Sequence, residues 1–433
     1  MERGIRNLPP TFLYQKELEK PAMKKRHFQP TKAKTAVLLL TGLFLATSTI
    51  SAMAATSAWT VVSSPNKTNA NYLYSVAASS ATNAWAVGVA YKSSGQADLT
   101  STLVERWNGS AWSIVPSPSP GTAKLCGDPS YQGNYLYGVA TVSSGEAWAV
   151  GEICPYGFGE TLTEYWDGTK WAVVASPSES GADNSTLAAV ASVSSNDVWA
   201  VGNYQEGGGA YQWNTLTEHW DGTRWSIVGS PNVAGAEANY LIGVAAVSTT
   251  DVWAVGYSEI DLEIDVPLIE HYDGQSWTII PSPYPPPSEF NGLYAVSAIS
   301  ANDIWATGYE NENSSGQYGG ALIEHWDGTN WSLVDGPFLG SAINLYGLAA
   351  VSSTDIWAVG DAWNGSLGFN LHPITEHWDG THWALVSAPY PGKAAQLYGV
   401  TAVNGTLWTV GAYSATTGIE LSNPATLTLK SAQ

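Results

Sequence analysis

Eleven residues at 215–225 read Thr-Leu-Thr-Glu-His-Trp-Asp-Gly-Thr-Arg-Trp, and close copies end at Trp112, Trp171, Trp277, Trp331 and Trp383. Between copies stands a second signature, Asp-Val-Trp-Ala-Val-Gly at 251–256. Its tryptophans recur as Trp85, Trp148, Trp199, Trp253, Trp305, Trp357 and Trp408, neighbours lying 51 to 63 residues apart. A repeat of that length is one supersecondary unit that buries its apolar face only against its neighbours. Nineteen of the 21 tryptophans fall on repeat positions, a third series being Trp107, Trp166, Trp220, Tyr272, Trp326 and Trp378. Only Trp213 and Trp363 stand outside.

Each unit holds four short runs rich in Val, Ile, Thr and aromatic residues, bounded by turn residues, which is the pattern of strands. The Asp-Gly pair before the last run is a hairpin signal, because tight hairpin turns require positive φ. No helical periodicity competes. The expected fold is therefore all-β, a seven-bladed β-propeller with four antiparallel strands per blade. Its ends predict how the ring closes. The first run, 59–62, is of the last-in-repeat type with nothing before it to pair with, and the final repeat stops after its third run. The N-terminal strand should complete the last blade and leave no open sheet edge.

Residues 1–34 carry nine of the 17 Lys and Arg, and 35–54 is an apolar stretch of small residues ending Ala52-Met53-Ala54. A basic region, an apolar core and an Ala-x-Ala end form a secretory signal peptide. The competing reading is an uncleaved membrane anchor, since about 20 apolar residues can span a bilayer. Ser and Thr crowding the end of the run favour cleavage after Ala54, and Met23 opens a more usual leader than Met1. The expected organisation is a leader at 1–54 and a single propeller domain at 55–433, exported to the extracellular space, with no span after cleavage and a monomeric state.

Removing the first 54 residues leaves 8 basic and 34 acidic residues, a net charge of −26. Nucleic acid is an unsuitable partner, because binding its backbone needs clustered Lys and Arg. Export also permits Cys126 and Cys154, the only cysteines, to form a disulfide.

The composite Leu-Tyr-Gly-Val-x-Ala-Val-Ser, Asp-Ile-Trp-Ala-Val-Gly and Glu-His-Trp-Asp-Gly-Thr-x-Trp resembles a family of secreted bacterial propeller proteins, and at fold level kelch propellers. The resemblance spans about residues 58–430. It lacks the kelch glycine doublet, the Gly-His of WD repeats and the Asp box, so no active site carries over. Fold does not imply function.

The repeated Glu105, Glu164, Glu218, Glu270, Glu324 and Glu376 sit on third strands, away from the axis, and cannot converge on one metal or substrate. Buried carboxylates need donors, and neighbouring indole or backbone N–H groups are the expected ones. His219, His271, His325 and His377 are spread around the ring in the same way, whereas zinc needs clustered ligands. Asp197, Asp251, Asp303 and Asp355 read as turn caps. A weak calcium candidate is Glu259, Asp261 and Asp265 in an alternating acidic stretch. No cofactor motif and no nucleophile–base signature is visible.

The long connections, among them 116–134, 203–214, 257–266 and 361–373, fall on one face, opposite the short turns. Function concentrates on loops held by a rigid scaffold. The ligand-binding candidates there are Trp213, Trp363, Tyr211, Tyr156 and Phe158, with Asn71, Asn134, Asn239 and Asn291 around the mouth. Two functions follow: a non-enzymatic binding module for a glycan, protein or other cell-envelope component, or a lyase or hydrolase using loop acids such as Glu206, Glu259 or Glu310.

Overall fold

The computed structural model describes residues 59–431 apart from 94–97, 123–130, 155–158, 208–211, 262–263, 285–289, 311–319, 338, 340–341, 364–370 and 419–420. The chain divides into two units, Met1–Thr56 and Ser57–Gln433, and the described residues all belong to the second. Among the described residues no helix is long and apolar enough to cross a membrane.

That second unit is a seven-bladed β-propeller. Blade one runs Ala70–Ser80, Asn83–Ser93, Asp98–Trp107 and Trp112–Ile114, from the innermost strand outward. The other blades repeat this order, neighbouring strands pairing antiparallel. Blade seven is built from Ala394–Val403, Thr406–Ser414 and Ala425–Ser431, and its outermost strand is Trp59–Val62. Val61 pairs with Leu429 and Val62 with Thr428. The first and last described strands share one sheet, so the ring is closed.

The repeated motifs follow from two close approaches. The glycine ending each Trp-Ala-Val-Gly run faces a register shift in the innermost strand. A Cβ on Gly202 would lie 1.9 Å from the Thr186 carbonyl oxygen, and one on Gly256 1.8 Å from that of Tyr240. No side chain fits there. In the Asp-Gly turns the glycine carries the positive φ, 91° at Gly222 and 93° at Gly274, which costs glycine little and other residues more.

Between blades, tryptophans interlock. Trp85 of blade one packs against Trp166 and Trp171 of blade two, ring centroids 4.7 and 5.0 Å away. Trp148 meets Trp220 and Trp225 of blade three, and Trp408 meets Trp107 and Trp112 of blade one. Each buried aromatic removes about 150–250 Å² from water, so these junctions supply much of the core that a single four-stranded sheet lacks.

In blades three to six the residue opposite the second-strand Trp is a histidine that lies against the indole. His219, His271, His325 and His377 stack on Trp199, Trp253, Trp305 and Trp357 at 4.2–4.5 Å. The preceding aspartates do not act as the expected turn caps: the turn amides of Asn196, Thr250, Asn302 and Thr354 donate to Ser194, Ser248, Ser300 and Ser352, and the aspartates serve other donors. Asp303 Oδ1 accepts from both Trp305 Nε1, at 3.0 Å, and His325 Nε2, at 2.9 Å. Asp251 and Asp355 do the same, and Asp197 holds His219. The register explains the difference: the turn ends one residue before the aspartate, whose side chain lies two residues from the indole on the same strand face.

Candidate functional site

One residue triplet from each innermost strand lines the central channel, at 74–76, 137–139, 188–190, 242–244, 294–296, 346–348 and 398–400. In five blades the first of the three is tyrosine. These five form an unbroken arc, Tyr294–Tyr346–Tyr398–Tyr74–Tyr137, with neighbouring centroids 5.1–5.8 Å apart. Ala188 and Ile242 interrupt it in blades three and four. The open channel volume is about 180 Å³. That is below the roughly 300–1,000 Å³ of ligand pockets, so the channel has no room for a ligand of that size.

Toward the loop face the arc continues upward in blades one and two. Tyr72 stacks on Tyr74 at 5.9 Å, Tyr91 meets Tyr72 and Tyr135 at 5.8 and 6.1 Å, and Tyr135 stacks on Tyr137. Tyr135 is buried, while Tyr72 and Tyr91 are half-buried. These rings form an aromatic sector of the mouth. Sequence reading missed it because Tyr72, Tyr91 and Tyr135 lie inside strands, where aromatics are expected anyway; the signal was their clustering in two adjacent repeats.

Two buried acids hold channel tyrosines, Glu152 at Tyr137 and Asp361 at Tyr346. Glu152 Oε1 accepts from the Tyr137 hydroxyl at 2.6 Å, and Thr186 of blade three donates to Oε2. Burial raises Glu152 to about 7, against the two hydrogen bonds. Asp361 takes Gln396 Nε2 at 2.6 Å, Asn344 Nδ2 at 3.0 Å and the Tyr346 hydroxyl. Burial likewise raises it, to about 6. Both acids sit at the position after the repeat glycine, and each bridges to the next blade. Desolvation also holds the Tyr137 and Tyr346 phenols well above their ordinary value. The networks position aromatic rings; each acid is committed to its own.

The residues singled out from sequence are placed differently. Trp213 is not in a loop: it opens the third strand of blade three, pairs with Gln205, and is buried against Tyr240. The hairpin ladder continues further than its Gly-rich sequence suggests. Trp363 ends the strand Asp355–Trp363. Tyr211, Tyr156 and Phe158 lie outside the described residues.

Asn71, Asn134, Asn239 and Asn291 do share one register position, but all four are buried. Asn71 Oδ1 accepts from the Lys67 and Thr68 amides. Asn134 closes on both Gly121 N–H and Gly121 C=O, and Asn239 accepts from the Val233 amide. The amides of Asn71, Asn134 and Asn239 brace the incoming loops, because a chain entering a strand leaves backbone groups that need partners.

The acidic stretch in blade four is a hairpin. Glu259 pairs across from Asp265, both buried, and the Tyr309 hydroxyl donates to Asp265 Oδ2 at 3.0 Å. The side chain of Asp261 lies outside the described residues. Among the described residues no three metal-ligating side chains cluster. Glu206 accepts from Asn214, and burial raises Glu310. Cys154 is disulfide-bonded, and Cys126, the other cysteine, lies outside the described residues.

The ring of third-strand glutamates is buried at 0 % exposure. The expected indole and backbone donors do not reach it. Glu105 and Glu324 are met by Ser64 and Ser282, which belong to the segment arriving from the preceding blade. Glu164, Glu218, Glu270 and Glu376 have no hydrogen-bond partner among the described residues. Burial accordingly drives Glu105, Glu164, Glu218 and Glu376 up to about 8 and Glu324 to about 7, with Glu270 also well above its ordinary value. A neutral carboxyl is far cheaper to bury than a charged one.

No family model matches the chain, and no curated protein does. Solved structures do. A structure of YCF48 bound to D1 peptide aligns with TM-score 0.51 at 12% identity, covering 88% of this chain and 96% of that one. The WD40 β-propeller domain of Doa1 aligns with TM-score 0.50 at 10% identity, covering 87% and 97%. The shared feature is the β-propeller fold. At such identities the likeness extends to the propeller's architecture alone, and the site must be argued from its own residues.

Proposed function

We propose that this propeller is an exported, non-enzymatic binding module whose loop face takes a flat, polar ligand of the cell envelope or extracellular matrix, a glycan being the favoured class. The observation that carries this reading is the placement of Tyr72 and Tyr91. They are half-buried rings at the mouth, packed on each other and against Tyr74 and Tyr135. Rigid aromatic faces over a braced polar network suit stacking against the C–H face of a sugar, and few convergent polar groups then fix orientation. Export rests on the basic and apolar leader.

The enzymatic alternative draws on the buried cross-strand pair Glu259 and Asp265, two loop-face acids that face each other. A peptide ligand is a further candidate, since YCF48 was solved with one. An array carrying both glycans and peptides tests the reading. Saturable binding to glycans supports it, and binding confined to peptides replaces the ligand class. Turnover of a polysaccharide that Glu259→Gln abolishes would make the protein an enzyme.

A further inference from the structure

Six of the seven junctions between blades are filled alike: a second-strand Trp packs against a third-strand ring and an outermost Trp of the next blade. Trp305 against Trp378 and Trp383, at 5.1 and 5.8 Å, is one example. The junction of blades six and seven breaks the series. Trp408 pairs with Lys430 as Trp85 pairs with Arg106, so Ser431 stands where blade one has Trp107. Trp357 keeps its outermost neighbour, Trp59, at 5.3 Å. In place of the third-strand ring there is an open cavity of about 470 Å³.

Trp357, His377, Leu407, Ser431, Asp355 and Asp379 line it. Trp357 is 9 % exposed, while the equivalent tryptophans of the other blades are exposed 3 % or less. We propose that this cavity, on the short-turn face, is a second binding site, and that it takes an indole or phenol ring bearing a nearby positive charge, such as a Trp or Tyr beside a basic residue in a partner polypeptide.

Shape argues for the ring. The same slot is occupied by an indole or phenol in the six other junctions, and the cavity lies within the roughly 300–1,000 Å³ typical of ligand sites. Charge argues for the cation. Asp355 and Asp379 each leave 44% of their side chain exposed, and no Lys or Arg is among the lining residues described. Cations already sit against such indoles elsewhere in the ring. Lys430 Nζ lies 5.6 Å from Trp408 and 5.8 Å from Trp107, and the Arg106 guanidinium lies 5.1 Å from Trp85. A cation over an aromatic face is attracted by the ring quadrupole.

The site is independent of the loop-face reading. Tryptamine is the probe, followed by ligand-observed NMR and by melting of the protein. Saturable binding is expected, at least tenfold tighter than that of indole-3-propionate, which has the same ring and the opposite charge. Ser431→Trp should fill the slot, abolish tryptamine binding and raise Tm, while Ser431→Ala and the loop-face variant Tyr72→Ala/Tyr91→Ala keep binding. If Ser431→Trp gives no cooperative melt, Ser431→Phe is judged by the same criteria. The proposal is overturned if wild type shows no saturable tryptamine binding, if the anion binds equally, or if the ring-bearing variant that folds binds as wild type does.

Discussion

Trp59 stands edge-on to Trp357, ring centroids 5.3 Å apart and planes at 85°, while its backbone pairs with Ser431. The first described residue thus seals the last blade and packs against the one before it. Replacing Trp59 with Ala should cost about 3–5 kcal/mol, as for other buried Trp→Ala changes. Differential scanning calorimetry of the variant and of a chain beginning at residue 66 measures this. A shortened chain that melts like the full protein would show that the strand is dispensable.

The buried glutamates make stability depend on pH in an unusual direction. Their folded values, about 7 to 8 for five of them, lie above the unfolded value near 4.5. Between those limits the folded state binds more protons than the unfolded state. Stability is then fully present below about 4.5 and is lost as pH rises through 7 to 8, by at most about 1.4 kcal/mol per pH unit for each carboxyl. Tm should fall between pH 5 and pH 8, and Glu218→Gln should flatten the slope. A Tm that rises across this interval would mean that the carboxyls are charged when folded.

How far the chain could be read beforehand varied with the kind of contact. Strand pairing, the closing strand and the role of the repeated tryptophans were legible, because they rest on periodic spacing and on one unpaired run at the start that matches the run missing from the final repeat. Side-chain partners were not. The aspartates before Trp253, Trp305 and Trp357 pass for turn caps in sequence, but serines take the turn amides, and only the cross-strand register that sets His271, His325 and His377 opposite those indoles reveals what the aspartates hold. Trp213 looked like a loop residue because its neighbours are Gly, Ala and Tyr, yet the ladder Gln205–Trp213 runs on past the motif. The tyrosine sector was hidden by the β propensity of its own members.

The aspartate that serves two donors should be costly to remove. Asp303→Ala leaves Trp305 Nε1 and His325 Nε2 without their acceptor, a loss of about 1–3 kcal/mol for buried polar groups left unpaired. Chemical denaturation measures it. Asp303→Asn, which keeps one acceptor oxygen, should recover part of the loss; equal stability of all three proteins would make the constellation incidental.

Cys154 is disulfide-bonded, and Cys126 is the only other cysteine in the chain. Closing the loop between positions 126 and 154 contributes on the order of 3–4 kcal/mol in the chain-entropy model. Thiol titration of the denatured, unreduced protein should find no reactive thiol, and reduction should lower Tm. Two reactive thiols would contradict the pairing.

The central claim is that ligand is taken at the tyrosine sector of the loop face. The most direct measurement is array binding by three proteins: wild type, Tyr72→Ala/Tyr91→Ala, and Arg224→Glu/Gln275→Glu. The last pair alters exposed turn residues on the opposite face. With all three showing the same cooperative melt, the account predicts at least a tenfold loss for the tyrosine variant and none for the turn variant. Binding that survives the tyrosine changes and fails with the turn changes would place the site on the other face.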